Sequence, residues 1–228
     1  MNPSKPLFLY EEILLLALRN KKGTVSSSYS DYLIAGAVLA EALLDRLVSI
    51  TDPRKQLIGV NAARATGDPI IDQCLQRIRV AKRRASLRTW VSRLAGIKDL
   101  RHKVARQLCR RGILRADEDK ILFLFTRRTY PEINPQPERE IIRRLRRAIL
   151  TDTQQINPRT VVLISLANSA NLLGENLGPK EIRPRKKRIQ QIIKGEMIGK
   201  ATGEVITACQ AAVMVATITP VLVATTSH

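Results

Sequence analysis

The sequence predicts a mainly α-helical fold, a compact single-domain helical bundle with peripheral β-hairpins that covers residues 1–228. Apolar residues recur at intervals of three and four through most of the chain, which is the period of an amphipathic helix. Short β-like runs occur only beside turn residues, and no glycine- and serine-rich linker divides the chain. With 228 residues, 44% of them hydrophobic, the chain is long enough to bury a substantial core.

The first part of the chain contains four predicted helices and one hairpin. Asp68 and Pro69 give the clearest helix start, because an aspartate caps free backbone N–H groups and proline needs no partner at the first helical position. In order, the predicted elements are a helix at residues 11–18, a helix from Asp31 through Leu47, a hairpin near residues 47–60, a helix from Pro69, and a short helix with Leu87, Trp90, Val91 and Leu94 inward.

A basic helix followed by an apolar hairpin is the most informative part of the sequence. The segment from Lys98 to Arg111 carries six Lys and Arg residues against one acid, Asp99. Its inward stripe is Ile97, Leu100, Val104 and Leu108, and Gly112 ends the helix. A hairpin near residues 113–126 follows, in which an apolar run leads into Arg127 and Arg128.

The last part of the chain is predicted to be helical. Its elements are a helix from Glu138 to Leu150, a buried helix from Val161 to Leu173, a helix opened by the basic run 183–188, and a last helix from Glu204. Residues 205–224 are apolar, but they contain Gln210 and Pro220. We therefore interpret them as a core helix with an apolar tail, in preference to a transmembrane anchor.

Charge and cysteine content limit the partners and the compartment. The 39 Lys and Arg residues exceed the 20 Asp and Glu residues by 19, so the expected partners are polyanions: nucleic acid, an anionic membrane or an acidic protein. Cys74, Cys109 and Cys209 lie far apart in apolar helical patterns, which indicates reduced, buried thiols and a cytoplasmic protein.

The residues expected of an enzyme are missing. His102 lies between two cations that lower its pKa, so we interpret it as a surface histidine of a helix. Glu11 and Glu12 are adjacent and face apart on a helix, where early acids complement the helix dipole. The sequence contains no zinc-spaced Cys/His cluster and no phosphate-binding glycine loop. We therefore predict no catalytic residues, no metal site and no cofactor.

Several segments, in order, resemble the Golgi phosphoprotein 3 family, whose eukaryotic members are peripheral Golgi proteins that bind phosphatidylinositol 4-phosphate. The short form of this chain looks more like the prokaryotic relatives. The segments span about residues 7–175 and comprise Leu7 to Leu16, Gly36 to Leu44, Thr66-Gly67-Asp68 with Asp72, Trp90-Val91 with Leu94 to Gly96, Leu100-Arg101 through Leu114, and Phe123 to Phe125 through Tyr130-Pro131. The resemblance implies a compact, mainly helical domain with peripheral hairpins.

The resemblance also implies where a lipid headgroup would bind. Two basic residues of the family's headgroup pocket fall on Lys98 and Arg101, and their spacing puts both on one face of the predicted helix. The pocket's tryptophan falls within residues 26–28, which are serines, and its helical arginine falls on Ala35. The membrane-contacting hairpin of the family resembles the segment that contains Leu122, Phe123, Leu124, Phe125, Arg127 and Arg128.

Three hypotheses for the function follow. The first is a non-enzymatic peripheral membrane protein on the cytosolic face of a membrane, which binds phosphatidylinositol 4-phosphate or a similar anionic lipid through the basic pocket and the hairpin. The second is a nucleic-acid-binding module that uses the basic helix and hairpin as a winged-helix-like surface. The third is an interaction scaffold that forms homo-oligomers through the hairpin, whose apolar alternation also fits a half-buried strand. None of the three identifies a client protein.

Overall fold

The computed structural model describes residues 6–19, 23–25, 29–121 and 125–196 of the chain. Over these residues the protein is mainly helical, with three two-stranded antiparallel sheets, which confirms the predicted fold class. The helices are α1 (Leu9–Ala17), α2 (Tyr29–Leu44), α3 (Pro69–Arg79), α4 (Leu87–Ala95), α5 (Leu100–Arg110), α6 (Gln136–Leu150), α7 (Pro158–Ser169), α8 (Leu172–Leu177), α9 (Pro179–Ile182) and α10 (Lys186–Ile193), with a 3-10 turn at Arg183–Arg185. The paired strands are β1 (Leu18–Arg19) with β2 (Thr24–Val25), β3 (Val48–Asp52) with β4 (Leu57–Val60), and β5 (Asp117–Ile121) with β6 (Phe125–Thr129).

Helix α1 lies at the centre of the bundle. Every residue from Leu9 to Leu16 is buried, and the helix packs against α2, α5, α6, α7 and α8. A helix that is apolar on nearly all sides is stable only when other elements surround it. The two glutamates within this stretch, Glu11 and Glu12, are buried with it.

Helix α2 packs along α1 and is almost as deeply buried. All residues from Leu33 to Leu43 are buried, and small side chains in this stretch allow close packing against α1 and α4. The predicted bounds were wrong at both ends, since the helix begins at Tyr29 and ends at Leu44. It ends early because Arg46 adopts a left-handed conformation with φ of 55°, and the Leu47 N–H donates to the Ala42 carbonyl oxygen.

The predicted start of α3 is confirmed. One carboxylate oxygen of Asp68 accepts hydrogen bonds from the backbone N–H groups of Ile70 and Ile71, and Pro69 occupies the first helical position. The hairpin predicted near residues 47–60 is confirmed as β3 and β4. Its second strand contacts α3, which places the hairpin at the edge of the bundle.

The predicted helical position of Lys98 is wrong. Helix α4 ends at Ala95 and α5 begins only at Leu100, so Lys98 lies in the connection between the two helices. Asp99 interrupts the helix because its φ of 59° and ψ of 30° are left-handed. The predicted inward stripe is confirmed, since its four members are buried: Ile97, Leu100, Val104 and Leu108.

The hairpin that follows α5 begins later than predicted. Ile113 and Leu114 are buried, and the Ile113 carbonyl oxygen accepts hydrogen bonds from the N–H groups of Ile133 and Asn134. This connection occupies the residues that were predicted to start the first strand. The two strands pair instead from Asp117 with Thr129 to Ile121 with Phe125.

The C-terminal helices begin and end at different residues from those predicted. Helix α6 begins at Gln136, two residues before the predicted start. The helix predicted from Val161 to Leu173 is two helices, α7 and α8, because Asn171 adopts a left-handed conformation with φ of 59°. The predicted last helix from Glu204, the apolar run 205–224 and Cys209 lie outside the described residues, so the single-domain prediction for the whole chain stays a prediction.

The side chains that reach the interior form one hydrophobic cluster from Leu9 to Ile192. Cys74 is buried within it, as predicted, whereas Cys109 is half-buried, and both are free thiols. Burial raises the pKa of the Cys74 thiol to about 12. Within the described ranges, no helix combines the length and the apolar character that a bilayer crossing requires.

Candidate functional site

The α4–α5 turn, residues 97–100, presents two charged side chains at the surface. Ile97 and Leu100 are buried, while Lys98 and Asp99 between them are exposed. The Leu100 N–H donates to the Ile97 carbonyl oxygen at 3.2 Å and closes the turn. The two apolar residues therefore fix the backbone, and the turn holds the Lys98 ammonium in solvent.

Strand β6 brings a second cation to this turn. Arg128 Nη1 lies 3.9 Å from Asp99 Oδ1, and both side chains are nearly half exposed. An ion pair this long and this exposed contributes at most about 1 kcal/mol. The pair matters because it shows that the β5–β6 hairpin lies beside the turn.

The beginning of α2 meets the beginning of α5 at the same place. The Asp31 carboxylate accepts a hydrogen bond from the Arg101 backbone N–H, and its other oxygen is buried without a hydrogen-bond partner. Burial raises the pKa of Asp31, while the nearby Arg101 charge opposes that rise. Asp31, predicted to cap α2, lies in its first turn and caps α5 instead.

His102 connects α5 to the end of the hairpin. Its Nδ1 lies 2.9 Å from the Tyr130 hydroxyl, and the ring is half-buried, so its interpretation as a surface histidine was wrong. Burial lowers the pKa of His102, and the charges of Arg101 and Arg128 lower it further. The imidazole is therefore favoured in its neutral form at neutral pH, as a hydrogen-bonding partner of Tyr130.

A backbone contact with Gly23 also fixes the position of Tyr130. The Tyr130 N–H donates to the Gly23 carbonyl oxygen at 2.9 Å, and Gly23 has a φ of 63°. A Cβ atom on Gly23 would lie 2.1 Å from the Tyr130 carbonyl carbon, which no side chain can occupy. The close approach of the two backbones thus fixes the base of the β5–β6 hairpin against the bundle.

The structure brings together part of the predicted site. Lys98, Arg101 and Arg128 lie around Asp99, although Arg101 alone of the predicted headgroup pair lies in a helix. Arg127 is exposed and adjacent to Arg128, so the two side chains point to opposite faces of the strand. The remaining predicted hairpin positions cannot be placed: Leu122, Phe123 and Leu124 lie outside the described residues, as does the side chain of Phe125.

The neighbouring basic residues divide into two groups. Arg88 and Arg93 are exposed on α4, and the Arg93 guanidinium lies 4.9 Å from the centre of the Trp90 ring. The basic run 82–84 precedes α4, whereas Lys98 follows it, so a nine-residue helix of about 13 Å separates them. Only Arg88 and Arg93 lie on α4, the helix that leads into the α4–α5 turn.

Two positions that the resemblance assigns to a headgroup pocket do not supply its side chains. Ala35 is fully buried in α2 and offers only a methyl group. Residues 26–28 lie outside the described part of the chain. Of the positions predicted for that pocket, the described residues supply cations at Lys98 and Arg101.

Sequence reasoning missed three buried ion pairs around α1. The three glutamates are almost fully buried, and each pairs with an arginine from a different part of the chain: Glu11 with Arg111, Glu12 with Arg144, and Glu41 with Arg159. Burial raises the pKa of each carboxyl, and the paired arginine opposes that rise. The glutamates were visible in the sequence, but their partners lie roughly 100 residues away or more.

A separate buried polar cluster joins α1, α3 and α5. Gln107 Nε2 donates to Asp68 Oδ2 at 2.7 Å and to the Tyr10 hydroxyl at 3.2 Å. Burial and the neighbouring Asp68 charge raise the pKa of Tyr10. Across the described residues, no three His, Cys, Asp or Glu side chains are arranged to hold a metal ion.

Comparison with known proteins identifies the family. A family model described as Golgi phosphoprotein 3 (GPP34) matches residues 9–209. Vacuolar protein sorting-associated protein 74 of Eremothecium gossypii is 25% identical over 213 residues, which cover 78% of this chain and 64% of that protein. The chain thus spans less than two thirds of that relative's length. Because the family model covers most of the sequence, and the fold is mainly helical as the resemblance implied, the chain belongs to the Golgi phosphoprotein 3 family.

Proposed function

We propose that this protein is a non-enzymatic peripheral membrane protein that binds anionic phospholipid headgroups at the α4–α5 turn. The observation that carries the proposal is that Arg128 lies 3.9 Å from Asp99 in the turn that also exposes Lys98, with Arg101 following at the start of α5. Membership of a family named for a Golgi phosphoprotein supports a Golgi-type, membrane-associated role.

The weak pair between Asp99 and Arg128 suits exchange with a lipid phosphate. Both side chains are nearly half exposed, so separating them costs little free energy. A lipid phosphate offers charged acceptor oxygens like those of a carboxylate, and the phosphomonoester of a phosphoinositide carries more negative charge than one carboxylate. It would therefore replace Asp99 as the partner of Arg128, while the Lys98 ammonium adds a second contact from the turn.

Several cations acting together give useful affinity for a charged bilayer. Each basic residue near an anionic leaflet contributes about 1 kcal/mol, and the contribution falls off within a Debye length. Lys98 and Arg128, with Arg88 and Arg93 on the preceding helix, are exposed. We expect the apolar tip of the hairpin, residues 122–124, to enter the interface between headgroups and acyl chains.

The family's pocket tryptophan and helical arginine are replaced here by serine and by Ala35, which reduces the expected specificity for one headgroup. Ala35 supplies no charge, and it is buried too deeply to contact a headgroup. The proposal is therefore binding to anionic lipid in general, with phosphatidylinositol 4-phosphate or a similar phosphoinositide as one of several accepted headgroups. The protein would act on the cytosolic face of the membrane.

Co-flotation with vesicles tests this proposal. Vesicles of neutral lipid, of phosphatidylserine and of phosphatidylinositol 4-phosphate would be compared at matched surface charge and at two salt concentrations. Equal, salt-sensitive binding to both anionic vesicles is the expected result. A preference for the phosphoinositide would mean that the turn forms a specific pocket without the missing residues.

Absence of binding to every vesicle would contradict the proposal. The alternative, a nucleic-acid-binding module, would then be tested by titration of duplex DNA and RNA over a range of salt concentrations. Homo-oligomerisation through the hairpin stays a prediction, and light scattering over a concentration series tests it independently of lipid.

A further inference from the structure

A second basic surface lies away from the α4–α5 turn. It consists of seven exposed cations, four on α6, one in the 3-10 turn and two at the start of α10: Arg139, Arg143, Arg146, Arg147, Arg183, Lys186 and Lys187. We call these residues the α6–α10 face. The lipid-binding proposal uses none of them.

Side-chain contacts hold the two halves of this face together. Arg146 Nη2 lies 2.9 Å from Glu181 Oε1, which joins α6 to α9. Arg188 donates from Nε to the Ala148 carbonyl oxygen at 3.0 Å and from Nη2 to the Thr153 carbonyl oxygen at 2.7 Å. The guanidinium of Arg188 thereby fixes the start of α10 beside the end of α6.

The α6 part of this face lies away from the α4–α5 turn. Asp31 and Arg101 bring the starts of α2 and α5 together at one end. At the other end, Glu41 near the end of α2 accepts a hydrogen bond from the Leu9 N–H at the start of α1, and Arg159 at the start of α7 also binds Glu41. Helices α2 and α5 are therefore antiparallel to α1.

The middle of helix α6 belongs to this second end. Arg144 in α6 pairs with Glu12 in the first turn of α1, and Arg111 just after α5 pairs with the neighbouring Glu11. The eleven residues of α5, about 16 Å of helix, thus separate the two ends. A partner bound to the arginines of α6 would leave the α4–α5 turn open.

The spacing of the arginines on α6 fits an extended polypeptide. Arg139, Arg143 and Arg147 are four residues apart, so they recur about every 6 Å along the helix. Alternate side chains of an extended chain recur about every 6.6 Å and point to the same side. Acidic side chains at every second position of a bound segment would therefore meet successive arginines.

The face already binds carboxylates of this chain. Glu181 contacts Arg146, and Asp152 Oδ1 lies 3.9 Å from Nη1 of the adjacent Arg185. Among the described residues, the exposed large hydrophobic side chains are Val80 and Ile133, and neither lies on this face. Among the described residues, the face thus exposes no aromatic ring on which a nucleic-acid base could stack and no large apolar side chain.

We propose that the α6–α10 face is a binding surface for an extended, acidic polypeptide segment with Asp or Glu at alternate positions. Charge selects the segment, and the helical spacing of the arginines selects its register. Through this surface the protein would hold an acidic partner at a site separate from its lipid-binding turn.

Fluorescence anisotropy with a labelled twelve-residue peptide of alternating Glu and Ser tests the proposal at physiological salt. The variant Arg143→Glu/Arg147→Glu/Lys187→Glu is expected to weaken binding about tenfold or more. The control Arg54→Glu/Lys55→Glu/Arg64→Glu changes the net charge equally at exposed positions elsewhere, and it should change the affinity by less than about threefold. Thermal melts of both variants check that each is folded.

Three results would overturn the proposal. Equal loss of affinity in the two variants would mean that only net charge matters. Equal affinity for a peptide with six Glu followed by six Ser would remove the spacing requirement. If the peptide did not bind, but anionic vesicles or RNA bound and lost affinity in the triple variant, the face would be a binding surface for phosphate groups. A Lys98→Glu/Arg101→Glu variant should bind the peptide with unchanged affinity, so failure of the lipid proposal would not affect this one.

Discussion

Arg159 binds Glu41 through both terminal nitrogens of its guanidinium, with Nη1 2.6 Å from Oε1 and Nη2 2.8 Å from Oε2. The same Nη2 donates to the Leu7 carbonyl oxygen, and Glu41 also accepts from the Leu9 N–H. One ion pair therefore connects α7, α2 and the start of α1. Glu41 is only 1% exposed, so its charge depends on this partner.

Removal of Arg159 should destabilise the protein strongly. The Arg159→Ala variant leaves a buried carboxylate without its partner, and we expect the free energy of unfolding to fall by about 3 kcal/mol. Arg143→Ala removes an exposed arginine of α6 and should cost less than about 0.5 kcal/mol. Urea denaturation measures both values, and similar losses in the two variants would contradict the buried role of the pair.

We expect that no other residue is tolerated at position 23. Gly23 and Gly112 both have φ values in the left-handed region, but a Cβ on Gly112 would meet no atom within 4 Å. Gly112→Ala is therefore expected to cost only backbone strain, about 1 kcal/mol. Gly23→Ala adds a clash with the Tyr130 backbone and should cost at least about 1 kcal/mol more. Thermal unfolding of the two variants makes the comparison, and equal losses would show that the two backbones can separate freely.

Glu132 should make stability depend on pH near neutrality. Burial and the nearby Glu138 charge raise the pKa of Glu132 from 4.5 to about 7. The folded protein therefore holds this proton more tightly than the unfolded chain, and the stability it contributes is lost as pH rises from about 4.5 to about 7. Glu132→Gln should remove the loss and gain up to about 1 kcal/mol at pH 8, with little change at pH 4.

Melting temperatures at the two pH values check this expectation. A gain of that size corresponds to about 2–4 °C for a chain of this length. Glu140→Gln removes an exposed glutamate from the same region and controls for the loss of one negative charge. A gain that is equal at both pH values would rule out the titration of Glu132 as its cause.

Much of the helical framework followed from the sequence because local patterns determine it. The inward residues of α3 and α5 recur at intervals of three and four, and the structure buries them. The Asp68 cap was predictable for the same reason, since an N-cap acts on residues two and three positions ahead. Asp31 shows the limit of that reasoning, because its carboxylate caps α5, about 70 residues away, and not its own helix.

The errors arose where single residues adopt left-handed conformations or where partners are distant in sequence. Asp99 and Asn171 both have a φ of 59°: Asp99 delays the start of α5 beyond Lys98, and Asn171 separates α7 from α8 where the apolar pattern predicted one helix. Asparagine and aspartate tolerate this conformation better than most residues, but composition alone does not show where they adopt it. Glu11 and Glu12 were interpreted from the helix dipole because nothing in their local sequence identified Arg111 and Arg144 as partners.

The most direct test of the proposed function is flotation of the Lys98→Glu/Arg101→Glu variant with anionic vesicles. Loss of two cations near a charged surface removes about 2 kcal/mol, so we expect the partition coefficient to fall about thirtyfold. Arg54→Glu/Lys55→Glu, in the exposed β3–β4 turn, changes the net charge by the same amount and should reduce binding only slightly. Equal binding of wild type and the Lys98/Arg101 variant, or equal loss in both variants, would contradict a headgroup site at this turn.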